Sequence, residues 1–197
     1  MEKNYLEQIG DYNIRRAWPV PEKSALLVID MQLYFRGLAE PILSNVVSIT
    51  DACRESGVKI FFTRHGHQDP AKDGGMLDRW WGDLIHYGSA EWKLIDELKV
   101  TTKEIIIDKN RYSAFFGTDL DERLRAERVE DLVICGVMTN CCCETTARDA
   151  FVRDYRVFFV ADATATADEE LHVASLKNLA YGFAYIVMTK HICQKFK

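Results

Sequence analysis

Asp131-Leu132-Val133-Ile134-Cys135-Gly136 runs directly into Val137-Met138-Thr139-Asn140-Cys141-Cys142-Cys143-Glu144-Thr145-Thr146-Ala147, and this join decides the fold. The first block is a short, continuous apolar run closed by glycine, the pattern of a strand buried on both faces. From 145 to 153, the apolar residues Ala147, Ala150 and Phe151 fall at helical spacing. Three consecutive cysteines therefore stand where a strand hands over to a helix N-terminus. A thiol there meets unpaired backbone N–H groups and the positive end of the helix dipole. Both favour the thiolate, the nucleophilic form of cysteine. The expectation is a cysteine nucleophile biased towards ionisation.

The alternation of strand and helix extends outward in both directions. Ser24-Ala25-Leu26-Leu27-Val28-Ile29-Asp30 is another apolar run, ending in an acid. Residues 43–56 carry Val46, Val47, Ile49, Ala52 and Cys53 at helical spacing, with Gly57 as the C′ residue. Residues 58–63, 104–107, 156–162 and 184–188 read as further strands. Helices are expected over 92–98, over 118–127 with Thr118 as N-cap, and over 168–181. Asp168, Glu169 and Glu170 suit the first turn of that last helix. Such alternation means βαβ units, so the fold class is α/β: a three-layer α/β/α sandwich around a parallel sheet of about six strands.

The 197 residues suit one domain, with 1–20 as a polar N-terminal extension closed off by Pro19 and Pro21. A chain this long buries about 70% of the surface its unfolded form exposes. The net charge of −5 gives no reason to expect nucleic acid or an anionic membrane as partner. No apolar run reaches the roughly 18 residues of a membrane helix. Met1-Glu2-Lys3-Asn4 has no signal-peptide core. The expected compartment is the cytoplasm. The six cysteines, three of them consecutive, make a poor disulfide framework there. No second C-x-x-C pair is present to build a structural zinc site.

Ligands of an open parallel sheet bind beyond the carboxyl ends of its strands. Three reactive side chains fall at such ends: Asp30 after strand one, Lys109 after strand three and Cys142 after strand four. Singly, each has an ordinary role: Asp30 can cap a turn, Lys109 can be a solvated lysine, and Cys142 can be packing. Together they make coherent chemistry. Cysteine attacks once ionised, a carboxylate can take its proton, and a lysine can hold the charges together.

Three ordered blocks also resemble the isochorismatase-like hydrolase superfamily, the cysteine hydrolases that include nicotinamidases and carbamoylsarcosine amidases. They are Ala25-Leu26-Leu27-Val28-Ile29-Asp30-Met31-Gln32, Lys109-Asn110-Arg111-Tyr112-Ser113-Ala114-Phe115 and Gly136-Val137-Met138-Thr139-Asn140-Cys141-Cys142. Thr146-Ala147-Arg148-Asp149-Ala150-Phe151 and Val160-Ala161-Asp162-Ala163 match as well, so the resemblance spans about 22 to 190. It implies a Rossmann-like sheet in the order 3-2-1-4-5-6 and a catalytic Asp30–Lys109–Cys142 triad. In that order Lys109 must reach Asp30 from two strands away. The resemblance also implies a cis bond between Val137 and Met138 that aims the Met138 and Cys142 N–H groups at one point as an oxyanion hole. Successive helical residues point about 100° apart, so only one of the three cysteines is expected to face the pocket.

The implied activity is hydrolysis of a C–N bond in a small amide, carbamoyl or ureido compound through a Cys142 acyl-enzyme, with Asp30 as base. A small-molecule substrate, no cofactor and a homo-oligomer go with it. Two alternatives stand beside it: vinyl-ether hydrolysis of the isochorismatase type using Asp30 alone, and a non-catalytic thiol redox sensor built on the cysteine triplet. True isochorismatases of this fold generally lack the cysteine, so Cys142 implies the amidase branch.

Arg64-His65-Gly66-His67-Gln68-Asp69 differs in spacing from the metal-binding pattern of nicotinamidases. These side chains are expected to bond within the loop or touch substrate, with no metal bound, and nicotinamide becomes a doubtful substrate. In the loop 65–88, Met76, Leu77, Trp80, Trp81, Leu84 and Tyr87 read either as a lid or as one face of a helix packed on another subunit. Candidate substrate-binding residues are Phe35, His65, Trp80, Trp81, Tyr112 and Phe115. Arg64, Arg79 and Arg111 can grip a substrate carboxylate, although solvated or structural roles suit each of them better.

Overall fold

The structure is a computed structural model that describes residues 4–196; Met1 to Lys3, part of the N-terminus read above, lie outside the described residues. Six strands form one parallel sheet: β1 (Ser24–Ile29), β2 (Lys59–His65), β3 (Ile105–Lys109), β4 (Asp131–Val137), β5 (Arg156–Ala165) and β6 (Tyr185–Val187). Their order is β3-β2-β1-β4-β5-β6, as expected. Every residue of β1 and β4 is buried, which is why both read as unbroken apolar runs. β3 is an edge strand and leaves Ile106 39% exposed.

The helices are α1 (Tyr5–Gln8), α2 (Arg36–Ala39), α3 (Leu43–Ser56), α4 (Pro70–Asp73), α5 (Gly75–Trp81), α6 (Leu120–Ala126), α7 (Glu144–Phe151), α8 (Glu169–Gly182) and α9 (Thr189–Lys195). Leu120 and Leu124 of α6, Ala147 and Ala150 of α7, and Leu176 and Leu179 of α8 bury one face of the sheet. Val46, Ile49, Ala52 and Cys53 of α3 and Ile192 of α9 bury the other. These are the two outer layers of the sandwich. No helix among the described residues is long and apolar enough to cross a membrane.

The local signals behave as their chemistry requires. Gly57 ends α3 in the left-handed region at φ 73°, where a residue without Cβ is unstrained. Asp168 caps α8 by accepting the Leu171 N–H. Gly136 at φ 118° brings β4 so close to β1 that a Cβ there would collide with the Ile29 backbone.

Three local expectations need correction. The helix over 92–98 shrinks to a 3-10 turn at Asp96–Leu98. The preceding residues are a strap whose backbone bonds go to 31–34: Leu33 N–H to the Lys93 oxygen, Tyr34 N–H to the Glu91 oxygen and Ile95 N–H to the Met31 oxygen. The helix expected from Thr118 starts at Leu120, and Asp119 takes the cap position. Thr118 still accepts the Leu120 N–H, at 3.3 Å, from one residue further out. The loop 65–88 is not structureless, since it contains α4 and α5.

Candidate active site

The carboxyl ends of β1, β2, β3 and β4 bring Asp30, Thr63, Lys109 and Cys142 together. Strand alternation sorts the side chains of β2 and β3. Arg64 pairs with Asp108 at 2.7 Å on one side of the sheet edge, while Thr63, His65 and Lys109 occupy the alternate positions. His65 and Lys109 are register partners. Asp30, in the left-handed region at φ 47°, leaves the strand direction just after Ile29.

Asp30 is fixed from two sides. Its N–H donates to the Thr63 hydroxyl oxygen at 3.0 Å, and that hydroxyl donates to Asp30 Oδ1 at 2.5 Å. Asp30 Oδ2 lies 2.7 Å from Lys109 Nζ, with both side chains fully buried. Lys109 Nζ also donates to the Arg111 carbonyl at 3.1 Å and lies 3.5 Å from Cys142 Sγ. The three ammonium protons thus have three partners. Burial works against the Lys109 charge, but Asp30 and Cys142 outweigh it and hold its pKa above the ordinary value. The long reach from β3 is accomplished by the lysine side chain crossing the end of β2.

Cys142 sits in a π-helical turn, Thr139–Cys143, rather than in the first turn of α7. The Cys143 N–H bonds back to the Met138 oxygen at 3.1 Å, five residues earlier. The turn is anchored by Thr139 Oγ1 against His172 Nδ1 at 2.9 Å and by the Thr166 hydroxyl donating to Asn140 Oδ1 at 2.7 Å. The Val137–Met138 peptide bond is cis.

Two expectations about the cysteines fail for physical reasons. Burial pushes the Cys142 thiol well up, Lys109 opposes this, and Asp30 adds to it, so the resting thiol is protonated. The wider π turn also brings two cysteines to the pocket: Cys142, 6% exposed, and half-buried Cys141 both line it, while Cys143 lies in the core.

Above the thiol opens a cavity of about 480 Å³ lined mostly by apolar side chains. Phe35, His65, Trp81 and Tyr112, four of the six candidate substrate-binding residues, line it. Trp80 does not: it is 75% exposed and points away from its neighbour Trp81, as consecutive helical residues do. Phe115 is 5% exposed and packs against Tyr155 in the core beneath the sheet. Leu77, Trp81 and Leu84 of the 65–88 segment form a roof over the pocket, whereas Met76 is 63% exposed. The Trp81 indole N–H donates to Tyr112 Oη at 2.8 Å, and the Tyr34 hydroxyl donates to Asp83 Oδ2 at 2.7 Å.

His65, His67 and Asp69 do not converge as a ligand set. The two rings stand edge to face 5.1 Å apart, His67 Nδ1 faces Asp73 Oδ1 at 3.2 Å, and Asp69 pairs with Lys72. Among the described residues no group of three or more metal-binding side chains is suitably placed. Burial and then the Lys109 charge lower the His65 pKa to about 3, so the ring is neutral at ordinary pH. None of Arg64, Arg79 and Arg111 lines the pocket; Arg64 lies over Trp92 and Arg111 donates to the Asp73 carbonyl. Thr63, beside Asp30, is a site residue that the sequence reading missed, as are Tyr34 and Asp83 in the pocket lining. The signal of Thr63 was a lone hydroxyl closing the apolar run Ile60-Phe61-Phe62, just before Arg64.

Fold and site together define a cysteine hydrolase built on a three-layer α/β/α sandwich. The chain belongs to the Isochorismatase family, whose isochorismatase domain matches residues 24–191. It is 50% identical over 179 residues to Nicotinamidase 3 of Arabidopsis thaliana, covering 89% of this chain and 90% of that protein. It is 33% identical to the Isochorismatase of Bacillus subtilis over 91% of this chain, and the match spans 60% of that relative's length. Among solved structures, a cysteine hydrolase from Pseudomonas syringae pv. phaseolicola superposes with a TM-score of 0.86 at 28% identity, covering 91% of this chain and 95% of that one. The protein is an isochorismatase-like hydrolase.

Proposed function

We propose that the protein hydrolyses a small, uncharged carboxamide through a Cys142 acyl-enzyme, with nicotinamide as the first substrate to test. The observation that carries this reading is the fully buried Asp30–Lys109 pair whose ammonium lies 3.5 Å from the Cys142 thiol, at the floor of an apolar pocket.

The protonated resting thiol makes Asp30 a general base rather than a spectator. Cys142 Sγ attacks the amide carbon as its proton passes to Asp30. Lys109 remains an ammonium and offsets the charge that appears on sulfur and carboxylate. The Met138 and Cys142 backbone N–H groups receive the oxyanion. Asp30 returns the proton to the leaving nitrogen, and ammonia departs. Water, deprotonated by Asp30, then attacks the thioester and releases the carboxylic acid product.

The pocket wall supports the choice of substrate. Its lining holds no lysine or arginine. Carbamoyl and ureido acids, and isochorismate, present carboxylates that this wall has nothing to grip. A flat amide without charge fits Phe35, Trp81 and Tyr112. The relative at 50% identity is named for nicotinamide, which outweighs the doubt raised by the missing metal-site spacing.

Ammonia release from nicotinamide, benzamide and a panel of carbamoyl and ureido acids tests this. The wild type should release ammonia from the uncharged amides, and Cys142→Ala should lose at least about a thousandfold of that rate. Turnover near the wild-type level in Cys142→Ala would sink the acyl-enzyme. Ether hydrolysis that survives Cys142→Ala but not Asp30→Ala would favour the isochorismatase-type reading.

A further inference from the structure

The wall of the pocket is electrically one-sided. Among its described lining residues Asp83 carries the one charged side chain. His65 contributes no positive charge, because its ring is neutral. Lys109 lies beneath the wall with its charge matched by Asp30 at 2.7 Å.

Asp83 is tethered at the mouth. It belongs to the roof segment, and the Tyr34 hydroxyl donates to its Oδ2 at 2.7 Å. Tyr34 lies outside the roof segment, and its own N–H bonds to the Glu91 carbonyl at 3.0 Å. The hydrogen bond to Asp83, with burial next, pushes the Tyr34 hydroxyl up to about 12, so it stays a donor.

Amide hydrolysis changes the charge of what the pocket holds. The C–N bond breaks, water supplies an oxygen to the acyl carbon and protons to the nitrogen, and a neutral amide becomes a carboxylate and an ammonium ion. A negative wall is indifferent to the substrate and repels the product.

We propose that Asp83, held in place by Tyr34, is a charge filter that excludes carboxylate-bearing ligands and drives the carboxylate product out. The inference rests on the amidase reading and adds a substrate rule to it: the amide must carry no negative charge. Asp83 is exposed, so water and salt screen its effect and the selectivity is moderate.

The test uses two probe pairs of matched shape, benzamide with benzoate and nicotinamide with nicotinate. Affinities are measured by calorimetry in a Cys142→Ala background, which holds amides without turning them over. Asp83→Asn keeps an acceptor for Tyr34 but removes the charge. It should tighten the carboxylates about threefold to fivefold at low salt, the size of one partly screened charge, and the amides less than about twofold. The gain should shrink at high salt. Asp83→Glu, which keeps the charge, should retain the original carboxylate-to-amide ratio. An unchanged ratio in Asp83→Asn, or a gain insensitive to salt, overturns the filter while leaving the amidase reading intact. Failure of both amides to bind with Asp83 in place overturns the amidase reading itself, and the filter with it.

Discussion

The floor and the roof of the pocket are built differently. On the floor, Asp30, Thr63 and Lys109 are all at most 4% exposed and sit on or beside the ends of sheet strands. Their polar atoms bond to one another, and the network closes on Cys142. The roof, residues 75–85, is a short helix and an irregular run with Met76 and Trp80 facing solvent. Two of the bonds that hold it to the rest run through aromatic side chains, Trp81 to Tyr112 and Tyr34 to Asp83. The atoms to which the proposed reaction gives the proton transfer are the ones that burial and mutual bonding fix most firmly. In the proposed reaction, selection among substrates falls to the less buried of the two regions.

This contrast can be broken by mutation. Lys109→Met should have the largest effect, because it strands the buried Asp30 carboxylate without its partner. Urea unfolding should register a loss of about 3–5 kcal/mol. A loss under about 1 kcal/mol would make the floor no more rigid than the roof. Thr63→Val comes next: it keeps the branched shape and leaves an Asp30 N–H and a carboxylate oxygen unpartnered, a deficit of about 1–3 kcal/mol. If this is felt at the base, kcat falls roughly tenfold to a hundredfold while KM holds, and Thr63→Ser recovers most of it. A change in KM alone would take Thr63 out of the positioning role. Trp81→Phe should be mildest. Losing one neutral hydrogen bond on a half-exposed segment is worth about 0.5–1.5 kcal/mol, read as a severalfold rise in KM with the unfolding midpoint unmoved. A clear drop in that midpoint would tie the roof to the core and erase the distinction.

The floor is also the half that the sequence makes legible. Apolar runs closed by Asp30 and Gly136 are local signals, and local signals survive in one dimension. The roof and its surroundings are harder. Residues 91–95 look helical by spacing, yet their backbone bonds are spent on 31–34, some sixty positions away, and no local pattern records that. Trp80 and Trp81 are alike as letters and differ by a helical rotation. Phe115 follows a reactive block and still turns into the core. The upward push on the Cys142 thiol comes from burial first and from Asp30 and Cys141 as well, residues that a helix N-terminus read in isolation does not weigh. Thr63 hides because one hydroxyl in an apolar strand looks like tolerance rather than purpose.

Gly136 carries a consequence for how variation in this chain is to be interpreted. Its backbone presses on Ile29, one residue before Asp30, and six residues before Cys142. A methyl group at that spot would wedge apart the two strands whose ends carry Asp30 and Cys142. In a saturation library, position 136 should therefore behave like a reactive residue while owning no reactive atom. An inventory of such a protein confined to side chains would overlook a place where the absence of a side chain sets the approach of two strands.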